Sequence, residues 1–465
     1  MKRRSFGLLA GSSMLALRMG RAEAQAASSL GEGLTPLGSE QAGNADGSIP
    51  PWTGGMTVLP AGVKPNSYVP ELFPNEQPVV VIDSSNMADH ADLLSDGVKA
   101  MMTKYGFKIK VYPTHRTAAA PQYVYDNIAK NHGNARFTAQ DPVGGRFGFE
   151  NAYGGVPFPV PDTSNPLAAG AQIMWNKSAG WRGFAYKQYQ EAWCVSNGRK
   201  VLGDANDASS PALFKWPYYN PNGSLQSFDG LLEVQYFAYS APQNLVGQEL
   251  LVWQYTNPYK NPQETWELLN GQGRVRRAPE VSFDTPSTQA NGIADYDEYF
   301  GFNGSLERYD WKYLGKQEMY IPYNNNGLYA VEGSSAHLDH FLDPDLVRWE
   351  KHRCWVVEAT LHPGERNVLA RRRFYLDEDT WQMAVGDMWD SNDDLFKVNI
   401  LYNNCRPDLP GVVYGNNTIH NLQTDDYTSP AGPWNQTTYP NGLVFVEDIP
   451  DSAFDAANMA AAAQY

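Results

Sequence analysis

Between Gln248 and Tyr402 the chain alternates apolar and polar positions in short runs bounded by turn residues. QELLVWQY, TWELL and GRVRR come first, then RCWVVEATL, RRRFYLDED, WQMAVGDMW and DLFKVNILYN. Alternation with period two puts successive side chains on opposite faces, so these runs predict antiparallel strands. The connections agree. Asn257-Pro258 and Asn261-Pro262 reverse the chain, Asn270-Gly271 is a hairpin signal, and the acidic stretches at 377–379 and 390–394 close two later hairpins. Adjacent strands joined by short polar turns form a meander, and a long meander twists around whatever fills it. We read the stretch as one large curved antiparallel sheet or incomplete β-barrel, in a mainly β (α+β) fold covered by a few helices. An irregular run from 274 to 326 interrupts it and either fills the concavity or closes over its rim.

Parity sorts the positions that face inward. Trp253 and Tyr255 share one face, as do Trp266 with Leu268, Trp355 with Val357, Ala359 and Leu361, Phe374 with Leu376, and Trp381 with Met383 and Val385. Val356, Phe396 and Val398, of opposite parity, are also apolar, so both faces are covered over part of their length. The inward set either forms a plain core or touches a ligand. Arg274 and Arg276 alternate with Val275 at a strand end, where they either grip an acidic head group or pair with carboxylates along a sheet edge.

The rest of the chain reads as cover. Residues 27–83 are rich in Pro and Gly, with isolated anchors at Trp52, Tyr68 and Phe73, and suggest an extended strap over a preformed surface. A helix is expected from Ser84 or Ser85 to a stop at Gly106, with Leu93, Leu94, Val98, Met101 and Met102 as its apolar stripe. Pro121 opens a second, PQYVYDNIAKNHG, and NPLAAGAQIMWNKSAG a third, with Leu167, Ile173, Met174 and Trp175 available for burial. From WRGFAYKQYQEAWCVSNGRKVL onward the pattern turns to strands. The whole of 27–465 is read as a single domain.

At the N-terminus, Lys2, Arg3 and Arg4 precede FGLLAGSSMLAL, and Ala24-Gln25-Ala26 supplies a small-x-small cleavage site. Residues 1–26 therefore read as a secretory signal peptide, and Arg3-Arg4-Ser5-Phe6 also fits a twin-arginine leader. No later run reaches the ~18 apolar residues of a membrane span. The address this implies is the periplasm.

Composition narrows the partners. A formal charge of −15 over 465 residues argues against nucleic acid and against docking on anionic lipid. Aromatics make up 13% of the chain, which suits an apolar or aromatic contact. Cys194, Cys354 and Cys405 allow at most one disulfide, and each fits a buried sheet position. Asp295, Asp297, Glu298, Glu307 and Asp310 offer carboxylates for glycan hydrolysis, although acidic loop residues in so negative a chain are usually solvated. His337-Leu338-Asp339-His340 places two histidines three apart, but Pro344 and Gly333 favour a loop and no third ligand is evident. There is no nucleophile elbow, phosphate-binding loop or dinucleotide fingerprint. No cofactor, metal or catalytic residue is assigned.

RVRRAPEVSFDTPS, FNGSLERYDWKYLGKQEMYIPYNN, DPDLVRWEKHRCWVVEATL and RRRFYLDEDTWQMAVGDMWD together resemble a family of secreted Gram-negative proteins of unknown function labelled outer-membrane lipoprotein-sorting-like. LTPLGSEQAGNADGSIPPWTGG and VYPTHRTAAAPQYVYDN match the same family's opening. That family is similar in fold to the periplasmic lipoprotein carriers, in which an incomplete barrel wraps an apolar cavity closed by helices. The resemblance implies a non-enzymatic carrier of lipid, lipoprotein or another hydrophobic molecule moving towards the outer membrane, working beside a membrane exporter. Its ligand-binding wall would be Trp253, Tyr255, Trp266, Leu268, Trp355, Val357, Phe374, Leu376, Trp381 and Met383, with Arg274 and Arg276 at the edge. A structural or adhesive module is the alternative, and a carbohydrate-active hydrolase a further one.

Overall fold

The computed structural model describes residues 30–207, 209–221, 230–278, 283–438 and 441–462. The expected leader, residues 1–26, lies outside them. The fold is mainly β, and its largest element is an open sheet of eleven strands. The core of that sheet is an antiparallel run through Trp349–Leu361, Arg371–Asp377, Met383–Trp389, Leu395–Arg406, Gly411–Asn421 and Asp426–Gly432. The hairpin Glu191–Ser196 and Arg199–Ala205 extends one end, and Val80–Ile82 with Ile109–Val111 extends the other, so the sheet does not close into a barrel. The one parallel pairing along this run is Trp349 with Val111.

The stretch from 248 to 402 is divided between two sheets rather than forming one. Glu249–Tyr255, Glu264–Leu268 and Val275–Arg277 belong to a separate seven-stranded sheet, in register with Leu231–Ala238. The reason lies in the connection. Residues 283–308 lead into the large sheet, where Tyr309–Pro322 pairs with Trp349–Leu361 over its whole length. Part of the irregular run is thus itself a fourteen-residue strand, with a bulge between Tyr313 and Gly315.

Both faces of the large sheet are covered. The strands Met383–Trp389 and Gly411–Asn421 are buried along their full length. In the second of these the buried asparagines are satisfied locally. Asn417 Nδ2 donates to Asn399 Oδ1 at 2.8 Å, and Asn416 Nδ2 to Ser429 Oγ at 2.5 Å. A polar residue survives inside a sheet only with such partners.

The first expected helix breaks in two. Met87–Leu93 is a 3-10 turn and helix α1 is Asp96–Tyr105, ending at left-handed Gly106. Ser85 does not cap, because the Asp83 carboxylate accepts from its backbone N–H and its hydroxyl at 2.8 and 2.6 Å and holds it in a turn. Ser95 is the cap, its Oγ accepting from Val98 N at 3.2 Å. Helix α2, Gln122–Asn131, follows Pro121, and helix α3, Pro166–Ser178, is capped by Asn165. Ile173, Met174 and Trp175 of α3 are buried, whereas Leu167 in its first turn is exposed. Gly170 lets α3 lie against the Trp311 backbone, where any β-carbon would collide.

Residues 30–79 run without helix or long strand over this assembly. Trp52 Nε1 donates to Ala118 O at 2.9 Å, Tyr68 Oη to Asn326 O at 3.2 Å, and the Phe73 ring stacks 3.7 Å from His115. Arg116 holds the segment most firmly, donating to the carbonyls of Glu40, Gln41, Ala42 and Pro50 while pairing with Asp379.

Candidate ligand-binding site

The two sheets meet where the chain passes from Ala185–Gln188 of the small sheet into Glu191–Ser196 of the large one. Residues 283–307 cross this junction. They are fixed to the large sheet by buried charge. Lys397 Nζ lies 2.8 Å from Glu298 Oε2 and 3.2 Å from Asp295 Oδ2, and Arg372 Nη2 lies 2.7 Å from Asp297 Oδ2. Asn399 Nδ2 adds a bond to Glu298 O at 2.8 Å. Burial, reinforced by the neighbouring Glu298 carboxylate, raises the Asp295 carboxyl to about 7. Phe300, Phe302 and Leu306 then enter the main core. The crossing segment fills the face of the sheet.

Two spaces remain between this segment and the small sheet. The outer cavity has a volume of about 430 Å³ and is lined by Trp175 and Ser178 of α3, Leu232, Gln254 and Tyr255 of the small sheet, and Phe283, Gly304 and Glu307 of the crossing segment. Trp175 is fixed by donating from Nε1 to Gly145 O at 2.7 Å, and Gln254 by donating to Asn303 Oδ1 at 2.8 Å. An inner chamber of about 60 Å³ lies beyond, walled by Phe237, Leu250, Val252 and Phe300, with Asp204 and Gln190 contributing polar atoms. Gln263 and Phe283 line both spaces, so they adjoin. Burial raises the Asp204 carboxyl to about 8. A lined hollow of a few hundred Å³ is of the size that takes a small ligand.

The inward positions expected from parity go to different places. Tyr255 lines the outer cavity and its hydroxyl donates to Glu264 Oε1 at 3.0 Å. On the same strand it is Leu250, Val252 and Gln254 that face the hollow. Trp253, Trp266 and Leu268 face the other way, packed on Ile449, Phe454 and Met459, and Trp253 Nε1 donates to Phe454 O at 3.1 Å. Trp355, Val357, Phe374, Leu376, Trp381 and Met383 are buried in the main core and border neither of these two spaces. Trp381 borders only a separate hollow of about 20 Å³ beside Leu37 and Trp181, and protein packs against the others. Phe302 and Trp311 pack on Phe374 with ring centres 6.0 and 5.8 Å away, and Trp381 stacks on Trp355 at 5.5 Å. Any β-carbon on Gly301 would strike Met383. Arg274 is exposed, and Arg276 pairs with Glu267 at 3.2 Å along the edge strand.

Three of the five acidic candidates are shut off from solvent, while Glu307 and Asp310 are half-buried. Asp295, Asp297 and Glu298 are buried in the ion pairs above, and Asp310 lies 2.8 Å from His362 Nδ1. His337 is buried, its Nδ1 2.6 Å from Gly333 O and its ring stacked on Tyr427, and burial lowers it to about 4. It follows a four-residue helix rather than lying on one, so it shares no helix face with His340. The three cysteines are buried and unpaired with one another.

Sequence reasoning missed a second charged cluster, under the strap. His352, Asp377 and Asp379 bring ligand atoms within 4.8 Å of one another. Protein groups already engage those atoms. Arg116 holds Asp379 in a bidentate pair at 2.6 and 2.8 Å, while the His352 ring lies 3.2 Å from Glu350 and 3.3 Å from Asp377. Burial alone would lower His352, but the flanking carboxylates outweigh it and raise it to about 9. The cluster is a latch of opposed charges.

The family model described as "Protein of unknown function (DUF1329)" matches residues 81–444. The chain belongs to that family. The relative "Uncharacterized protein PA3922" from Pseudomonas aeruginosa is 36% identical over 430 residues, covering 90% of each chain. Among solved structures, a DUF1329 family protein from Desulfovibrio piger is similar over 63% of this chain and 99% of its own, at 13% identity and a TM-score of 0.42. The LolA superfamily protein NE2245 from Nitrosomonas europaea is similar over 62% and 97%, at 8% identity and a TM-score of 0.34. At such scores neither solved structure bears on what the site does.

Proposed function

We propose that this DUF1329 protein is a periplasmic carrier or binding protein for a lipid, lipoprotein segment or other hydrophobic molecule on its way towards the outer membrane. The observation that carries the reading is the outer cavity of about 430 Å³ leading into a smaller chamber walled by Phe237, Leu250 and Phe300. Both lie at the junction of the two sheets, and the outer one is of the size that takes a small ligand. The basic, apolar and small-x-small pattern of residues 1–26 supports export to the periplasm. In this reading the role is binding, and it is supported by the commitment of Asp295, Asp297 and Glu298 to Lys397 and Arg372. A membrane exporter as donor and the outer membrane as destination belong to the same proposal.

The test is native mass spectrometry on protein gently purified from its host, alongside titration with a neutral lipophilic dye. Stoichiometric bound apolar mass, or saturable dye binding competed by lipid extract, is expected. Absence of both would leave the structural or adhesive module as the better account.

A further inference from the structure

Within the inner chamber, Gln190 Oε1 and Asp204 Oδ1 are buried and accept no hydrogen bond from any described group. Several of the other polar side chains around them are engaged. The Tyr299 and Ser287 hydroxyls lie 2.7 Å apart, Tyr296 Oη donates to Gln289 Oε1 at 3.3 Å, and Gln235 Nε2 donates to Glu233 Oε1 at 2.6 Å. A buried acceptor left without a donor costs about 1–3 kcal/mol. A donor carried on a body that suits Phe237, Leu250, Val252 and Phe300 would complete the chamber.

The chemistry of that donor is restricted. A carboxylate or phosphate brings acceptors only and would leave Gln190 Oε1 without a donor. Asp204 is uncharged near neutral pH because burial raises it to about 8, so it attracts no cation strongly and can return a hydrogen bond of its own. A hydroxyl both donates and accepts. The chamber has room for roughly five water-sized groups, enough for the end of a chain or the edge of a ring.

We propose that the inner chamber takes the hydroxyl end of an otherwise apolar ligand, the hydroxyl donating to Gln190 Oε1 or Asp204 Oδ1 while the hydrocarbon body lies along Phe237 and Leu250 towards the outer cavity. This rests on the carrier reading and adds the chemistry of the buried end. Sequence gave no sign of it, because Asp204 and Gln190 are isolated polar residues beside apolar strand positions.

The experiment is competition for N-phenyl-1-naphthylamine bound to the mature full-length chain. Competitors are 1-decanol, its isomer nonyl methyl ether, decanoate and decylammonium. Decanol is expected to compete at about tenfold lower concentration than the ether, the worth of one hydrogen bond to an otherwise orphaned acceptor. Asp204→Leu combined with Gln190→Leu should bring that ratio close to one, and Asp204→Asn, which keeps an acceptor oxygen, should preserve it. If the double variant does not fold, Gln190→Leu alone carries the test through a reduced ratio. Equal competition by decanol and ether overturns the proposal, as does a ratio untouched by the substitutions. Tighter binding of decanoate or decylammonium than of decanol also overturns it. If the dye does not bind the wild-type chain at all, the carrier reading falls and takes this one with it. If the dye binds and only the ratio fails, the chamber assignment alone falls.

Discussion

Arg372 holds Asp297 through two hydrogen bonds, 2.7 Å from Nη2 to Oδ2 and 3.2 Å from Nη1 to Oδ1, with both side chains buried. The pair ties the crossing segment to the middle of the large sheet. Removing one partner strands the other charge, so Arg372→Met should destabilise the protein by about 3–5 kcal/mol in urea unfolding. Arg372→Met combined with Asp297→Leu should recover most of that loss. Equal destabilisation by the single and double variants would contradict the account.

The hollow and the packed core should respond oppositely to changes of volume. Leu232→Trp fills the outer cavity and is expected to weaken lipophilic dye binding by about tenfold or more, at a stability cost of about 1–3 kcal/mol at most. Phe374→Ala removes a core ring that borders neither space and should cost about 3–5 kcal/mol while leaving the folded protein's dye affinity within roughly twofold. Loss of dye binding in Phe374→Ala at full folding would return the ligand to the large-sheet wall.

Stability should fall in alkali through His352. Its folded value, raised to about 9 by Asp377 and Glu350, exceeds the ordinary imidazole value of about 6.5. The folded state thus binds the extra proton between those limits. This contribution is complete below about pH 6.5 and is lost as pH rises through about 9. Its size is on the order of 2–3 kcal/mol. Asp204, raised to about 8, adds to the decline in the same direction, starting from the ordinary carboxylate range. Denaturation curves at pH 6 and pH 9.5 should therefore differ less in His352→Gln than in the wild type, and less again when Asp204→Asn is added.

The thiols should be silent in the native state. Burial raises Cys194 to about 11 and Cys405 to about 12, and Cys354 is raised as well. Little thiolate exists at neutral pH and access is closed, so an aromatic disulfide reagent should titrate almost no thiol until denaturant is added, then three. Rapid native labelling of any one would show that its strand opens.

Much of the fold was legible because hairpins are local. Asn270-Gly271, the acidic turn at 377–379 and the polar turn at 390–394 each join the strands expected of them, and Pro121 and Asn165 precede the two helices they announced. Membership of a sheet is not local. Alternation in QELLVWQY says that it is a strand but not which sheet it enters, and the chain's crossing over 283–308 decided that. Parity failed for the same reason on this strand. Both of its faces are apolar, and the segment bearing Ile449, Phe454 and Met459, distant in sequence, covers the one with Trp253. The strand Gly411–Asn421 escaped notice because its asparagines look like turn residues until Asn399, Ser429 and the Glu298 carbonyl are brought to them. Asp204 was invisible for want of any spacing rule: a lone buried acid acquires meaning only from the hollow it borders.

Arg116 gives the molecule an order of assembly. The same guanidinium grips the carbonyls of residues 40–42 and 50 and the carboxylate of Asp379, and more than half the chain separates those partners. Closing so long a loop is slow compared with forming any hairpin. Residues 40–50 therefore wait, unlatched, until the turn at 377–379 has been made and folded.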